Sequence, residues 1–136
     1  MMLRNRKQGD IHKGKYNGLG GKLEPGESPD ECVVREVFEE SGLTIEPLFR
    51  GIITFPLFTP GDDWYVFVYT ADDFTGEQID SPEGTLEWVP TESLLELNLW
   101  EGDRHFLQWL RDGKKFSAKI TYIEKELKDV QVSFWN

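Results

Sequence analysis

Three glutamates, Glu36, Glu39 and Glu40, stand at spacing i, i+3, i+4 in the segment Pro29-Asp30-Glu31-Cys32-Val33-Val34-Arg35-Glu36-Val37-Phe38-Glu39-Glu40-Ser41. On a helix this spacing gathers the carboxylates on one side, where like charges repel. A solvated acidic face is one reading. The other is a hard divalent cation, which takes oxygen donors and offsets the repulsion. The residues just before them favour the cation. Gly20 and Gly21 let backbone approach a ligand closely, and Pro25-Gly26 signals a turn. Glu27 can bond backbone donors or Arg35, bracing the loop against the helix.

The elements that must position these groups are legible nearby. Ser28 is a good N-cap, Pro29 suits the first helical position, and Glu31 stands where a capping-box carboxylate belongs. Gly42 is a natural C′ residue, so the spacing predicts a helix over 29–41. At 100° per residue Val34, Val37 and Phe38 share one side, predicted to pack on a sheet, and the three glutamates take nearly the opposite side. Cys32 falls near the glutamates and reads as a small filler. Further on, strands are expected within 44–58, broken by Pro47 and Gly51, over 64–70 and over 86–89. Residues 72–85 read as irregular. Short helices are expected over 92–97, capped by Thr91, and over 104–111, capped by Asp103. A final hairpin over 115–123 and 130–135 turns near Lys128-Asp129. A mixed sheet with helices on both faces accommodates this order.

Residues 21–43 resemble the Nudix box, G-x5-E-x7-R-E-U-x-E-E-x-G-U with U a bulky aliphatic residue. Gly21, Glu27, Arg35, Glu36, Val37, Glu39, Glu40, Gly42 and Leu43 satisfy every fixed position. The resemblance implies one α+β domain over 1–136, an α/β/α sandwich with a mixed sheet. It implies a Mg²⁺-dependent hydrolase of nucleoside diphosphate derivatives, with Mn²⁺ as a possible substitute. Glu36, Glu39 and Glu40 would be catalytic metal ligands, the Gly20 carbonyl a further one, and Glu27 and Arg35 would hold the loop–helix geometry.

Composition agrees with a single domain. The chain has 136 residues, 38% hydrophobic and 13% aromatic, enough for a core. It carries no membrane-length apolar run and no secretory pattern, and its one cysteine fits a reducing compartment, so a cytoplasmic location is expected. A net charge of −10, from 25 acids and 15 bases, disfavours a broad nucleic-acid surface. A small-molecule nucleotide is the expected partner. The first 22 residues are locally basic, and Lys22, inside the glycine turn, is the leading candidate for substrate phosphates, followed by Arg6 and Lys7. The backbone of Gly21 is placed against the substrate as well. Phe55 is a candidate for stacking on a base.

Three further segments resemble the branch that removes oxidised purine nucleoside triphosphates. Tyr16-Asn17-Gly18-Leu19-Gly20-Gly21-Lys22 places Asn17 toward the base. Leu99-Trp100-Glu101-Gly102-Asp103 resembles a base pocket built from a Trp and two aspartates, with Trp100 and Asp103 matching and Gly102 in place of the first aspartate. Ser81-Pro82-Glu83-Gly84 resembles a later acidic loop, which makes Glu83 an additional metal ligand. One departure stands out. Nudix domains begin with a strand pair before the glycine turn, and here Met2-Leu3 is the only apolar stub. The usual first strand is therefore expected to be lacking, which would leave an exposed sheet edge.

Overall fold

The computed structural model describes residues 1–3, 15–81 and 84–135. Arg6, Lys7 and Glu83, singled out above, lie outside the described residues. In chain order the elements are β1 (Met2–Leu3), β2 (Tyr16–Asn17), α1 (Pro29–Ser41), β3 (Thr44–Ile45), β4 (Leu48–Thr59), β5 (Asp62–Thr70), β6 (Phe74–Thr75), β7 (Thr85–Leu86), a 3₁₀ turn (Thr91–Glu96), α2 (Glu101–Arg111), β8 (Lys115–Ile123) and β9 (Glu126–Trp135). They group into two compact units, Met1–Leu48 with Ala71–Leu99 and Phe49–Thr70 with Trp100–Asn136.

The first unit holds α1 and the short strands. Both halves of the capping box form: Ser28 Oγ accepts from the Glu31 N–H at 3.1 Å, and Glu31 Oε1 accepts from the Ser28 N–H at 3.0 Å. The helix stops at Gly42, whose φ of 79° is open to glycine. Its N–H donates to the Phe38 carbonyl at 2.8 Å. β1 is two residues long, yet it pairs antiparallel with β2 on one side and β7 on the other. It is thus the middle strand of three, its backbone groups are taken, and Met2 is buried. Among the described residues the expected exposed edge does not fall at β1. β6 falls inside the stretch read as irregular and pairs with β3, and β7 is shorter than the strand expected over 86–89.

The second unit is a four-stranded mixed sheet in the order β5-β4-β8-β9. β4 and β8 run parallel from Gly51↔Phe116 to Thr54↔Lys119, and β8 and β9 run antiparallel from Lys115↔Trp135 to Ile123↔Glu126. Ile53, Val68, Phe116, Ala118 and Ile120 form its core, with Phe106, Trp109 and Leu110 of α2 packed on it. Pro47 separates β3 from β4 as expected. Gly51 does not break β4; it is buried where a Cβ would strike the carbonyl and ring of Phe116. Leu57 in β4 takes a positive φ of 46°, and the rings of Phe55 and Phe58, three residues apart, have centroids 5.5 Å apart.

Two boundaries differ from the sequence reading for physical reasons. The final turn lies at Glu124-Lys125, both at positive φ (52° and 70°), so β9 starts at Glu126. Helix α2 starts at Glu101, three residues early, with Trp100 at the N-cap position. Asp103 is therefore not the cap but a first-turn residue whose N–H donates to the Trp100 carbonyl at 3.0 Å. The start is fixed from a distance: the Gly102 N–H, an orphan donor of the first turn, reaches the Tyr122 hydroxyl at 2.6 Å. Among the described residues no helix is long and apolar enough to cross a membrane.

Candidate active site

Arg35 is the hub of the glycine turn and α1. Its Nε and Nη2 grip the Glu27 carboxylate in a fork at 2.7 and 3.0 Å, and Nη2 also donates to the Lys22 carbonyl at 3.0 Å. Nη1 reaches Glu36 Oε1 at 2.8 Å and Glu39 Oε2 at 3.3 Å, with Glu24 at 3.7 Å. Glu27 Oε1 also accepts from the Glu24 N–H at 3.1 Å. The bracing predicted for Glu27 and Arg35 is thus present: one guanidinium ties loop to helix and offsets several carboxylates at once.

Hydrogen bonds from Arg35, then from the Glu24 backbone, hold the Glu27 carboxyl down at about 2, from an ordinary 4.5. The same pairing with Glu27 raises the Arg35 guanidinium still further above neutrality. A carboxylate whose folded value is depressed contributes stability that is complete above its ordinary value and is lost as pH falls through the folded one. The thermal stability advantage of wild type over Glu27→Gln should therefore be level from neutrality down to about 4.5 and shrink steadily toward about 2. Melting curves across that window check this; an advantage that stays level throughout would disprove the coupling.

The other two glutamates are placed by the glycines. Glu40 is buried, and its Oε1 accepts the Gly20 N–H at 2.9 Å. This corrects the predicted faces of α1. Val37 is buried, Val34 is half-buried, but Phe38 is 54% exposed while Glu40 is 5% exposed. The Gly20 backbone donor needs an acceptor, and that requirement outweighs residue type. Gly21 packs against Glu36, and a Cβ there would lie on the Glu36 carboxylate. Because that obstacle is the end of a flexible side chain, Gly21→Ala should leave the melting temperature nearly unchanged and lower kcat roughly tenfold by pushing Glu36 aside. Steady-state kinetics beside a thermal melt would test this; an unchanged kcat would mean that the position of Glu36 is immaterial. Cys32 is filler, as read. It is buried, its thiol is pushed up by that burial, and Sγ lies 3.8 Å from the Gly21 carbonyl.

Glu36, Glu39, Glu40 and the Gly20 carbonyl form an all-oxygen donor set suited to a hard divalent cation. Among the described residues no three acidic, His or Cys side chains converge to ligating distance. In this arrangement Arg35 engages Glu36 and Glu39, and Gly20 engages Glu40. The donors fit such an ion in chemistry, the three glutamates share one helix side, and two of them would exchange a guanidinium partner for it.

The base-pocket candidates divide between the units. Asn17 and Lys22 belong to the first. Asn17 Oδ1 is buried and without a hydrogen bond from any described residue, an acceptor left for something else. Lys22 is exposed, its carbonyl held by Arg35. Phe55, Trp100 and Asp103 belong to the second. There Trp100 is 8% exposed and makes edge contacts with Phe58 at 5.7 Å and Tyr122 at 5.5 Å. Tyr122 also faces Phe55 at 6.4 Å. Sequence reading missed Tyr122, which stands among the residues it did select.

The sequence matches the family model of the NUDIX domain over residues 1–110. The chain belongs to the Nudix family. A Bacillus subtilis protein, Uncharacterized Nudix hydrolase YvcI, is 35% identical over 108 residues, covering 75% of this chain and 68% of that one. The Danio rerio protein named oxidized purine nucleoside triphosphate hydrolase is 31% identical over 138 residues, covering 96% of this chain and 88% of its own length. The solved structure titled mMutator MutT protein from Bacillus halodurans superposes with a TM-score of 0.83 at 31% identity, covering 96% of this chain and 87% of that one. The protein is therefore a Nudix hydrolase with a MutT-like α+β fold, and α1 is its Nudix helix.

Proposed function

We propose that residues 1–136 act as one Nudix domain that hydrolyses nucleoside triphosphates to the monophosphate and pyrophosphate, preferring an oxidised purine such as 8-oxo-dGTP. The observation that carries this reading is the Nudix helix itself, with Glu36, Glu39 and Glu40 set against the Gly20-Gly21 turn and tied by Arg35 to Glu27. The name of the Danio rerio relative and the unpartnered Asn17 Oδ1 support the purine preference. An Asn amide presents both donor and acceptor, which suits a purine edge.

Mg²⁺, or Mn²⁺ in its place, would supply charge neutralisation for the phosphate chain and a water of lowered pKa. Glu36, Glu39, Glu40 and the Gly20 carbonyl would hold it. The chain's own contribution is positional. Arg35 and Glu27 fix the turn so that the backbone of Gly21 and Lys22 meets the phosphates, and Glu39 takes a proton from the attacking water. Lys22, exposed beside the turn, adds a positive charge for the phosphates. No covalent intermediate on the protein is required.

The test is a panel of 8-oxo-dGTP, dGTP, a nucleotide sugar, a dinucleoside polyphosphate and a 5′-triphosphorylated RNA, with pyrophosphate and phosphate detected separately. The expected result is pyrophosphate release and the highest kcat/KM for 8-oxo-dGTP. A clear preference for the nucleotide sugar or the RNA end would sink the substrate assignment.

A further inference from the structure

One end of the β8–β9 pair brings together two lysines and two exposed aromatic rings. Helix α2 closes at Gly113, whose φ of 71° suits glycine, and the chain passes through Lys114 into β8. Lys115 pairs with Trp135 across the two strands, and Phe116 with Phe134. Cross-strand partners share a sheet face and successive residues alternate. Trp135 therefore stands with Lys115 on one face. Phe134 stands on the other, where the Lys114 ammonium lies 4.5 Å from its ring centroid. Around this strand end Gly113, Lys114, Lys115, Phe134 and Trp135 line an open depression of about 340 Å³. Its floor is fixed: Trp109 meets Phe134 edge to face at 5.8 Å and packs on the buried Phe116 at 5.0 Å. Phe134 and Trp135 are nonetheless 45% and 41% exposed, and among the described residues no ring meets Trp135. The charges are as distinctive. The chain has 25 acids to 15 bases. Yet among the described residues the carboxylates pair with Arg35, Arg104 and Lys128, and none pairs with Lys114 or Lys115. Asp112, two residues before Lys114, accepts from Gln108 Nε2 at 3.0 Å instead.

We propose that this depression is a nucleotide site separate from the Nudix helix, binding a nucleoside monophosphate with its base on Trp135 and its phosphate between Lys115 and Lys114. A planar ring and an anion on one ligand use everything the depression offers. Aromatic side chains stack on any base, and a phosphate monoester carries close to two negative charges at neutral pH, which two ammoniums match. Lysine is a point charge on a flexible stem, so Lys114 can stay over Phe134 while donating to the phosphate. A long nucleic acid would run on into a surface of net charge −10. A single phosphate close to the lysines is spared that, because remote acids are screened beyond about 8 Å at physiological ionic strength. The volume lies at the small end of ligand pockets, which span roughly 300–1,000 Å³, and suits one mononucleotide. The site uses no residue of the Nudix helix or the glycine turn, so it stands whichever phosphoanhydride those residues hydrolyse.

The experiment titrates the ¹⁵N-labelled whole chain, without divalent metal, with dGMP, inorganic phosphate and deoxyguanosine in turn, and follows the amides and indole N–H groups by NMR. The expected result is a saturable shift of the Gly113 and Lys115 amides and the Trp135 indole with dGMP. Its affinity should exceed that of phosphate or of the nucleoside about tenfold or more, the scale of one stacked base. Lys115→Glu should weaken dGMP roughly tenfold or more. It should leave the melting temperature unchanged, because the side chain is exposed and pairs with no described carboxylate. Trp135→Ala should bring dGMP down to the level of inorganic phosphate and leave phosphate binding as it was, which also shows that the strand end has kept its shape. Shifts confined to residues 20–40, or a dGMP affinity unchanged in Lys115→Glu, would overturn the site. Equal affinity for dGMP and inorganic phosphate in wild type would reduce it to a patch of surface charge and overturn it as well.

Discussion

Glu39→Gln should lower kcat for the proposed nucleoside triphosphate hydrolysis roughly 10³-fold while leaving the protein folded. The substitution keeps the side chain's size and removes both its charge and its capacity to take a proton. Proton transfer by a positioned group contributes 10²- to 10⁴-fold, and a lost ligand charge weakens the hold on a divalent ion as well. Folding should scarcely notice. The Glu39 side chain is 56% exposed, and its contact with Arg35, 3.3 Å long, is the longer of the two ion pairs that the guanidinium makes within the Nudix helix. Removing one of several clustered negative charges even relieves repulsion with Glu36 and Glu40. Glu40→Gln is a useful contrast. Glu40 is buried and its carboxylate accepts the Gly20 N–H, so that variant should lose activity and also loosen the turn. The decisive measurement is single-turnover hydrolysis with Mg²⁺ beside a thermal melt. A Glu39→Gln rate within a few-fold of wild type would remove Glu39 from the chemistry. Equal background rates in both proteins, with nucleotide still bound, would identify a binding module instead.

The reach of sequence reading in this chain follows the distance over which each feature is decided. The Nudix helix was legible to the residue at both ends because Ser28, Glu31 and Gly42 act within one turn. The Glu27–Arg35 fork was legible too, since its partners are eight residues apart and the box spacing fixes both. What failed was decided elsewhere. Phe38 and Glu40 exchanged environments because Gly20, twenty residues before Glu40, supplies a donor that no helical wheel contains. The early start of α2 depends on Tyr122, twenty residues after Gly102. A two-residue strand such as β1 has no periodicity to read, so its central place between β2 and β7 is visible only in the pairing. Tyr122 itself looks like any aromatic in an alternating strand; only the missing side chain at position 102 distinguishes it.

Arg35→Gln should lower kcat roughly 10²-fold or more, and Arg35→Lys should not restore it. The guanidinium holds several contacts with one rigid plane: the two bonds to Glu27, the Lys22 carbonyl, and Glu36 and Glu39 through Nη1. Glutamine cannot span them, and its loss of charge leaves the surrounding carboxylates to repel one another. The turn carrying Gly20 to Lys22 is then free to drift, and a displacement of about 1 Å at reacting groups costs on the order of 10²-fold. Lysine separates charge from geometry. It returns a positive charge among the glutamates but offers a point donor on a flexible stem in place of a planar fork. Arg35→Lys should therefore recover part of the thermal stability lost in Arg35→Gln, and its kcat should remain near that of the glutamine variant. Metal titration supplies an independent readout. In the structure Arg35 engages two of the same carboxylates that would hold the ion, so removing its charge lessens competition for them. Mn²⁺ binding, followed by electron paramagnetic resonance, should be no weaker in Arg35→Gln than in wild type even as turnover collapses. Turnover that returns with lysine would show that charge alone suffices. Mn²⁺ affinity that falls in step with kcat would show that Arg35 serves only to assemble the ligands.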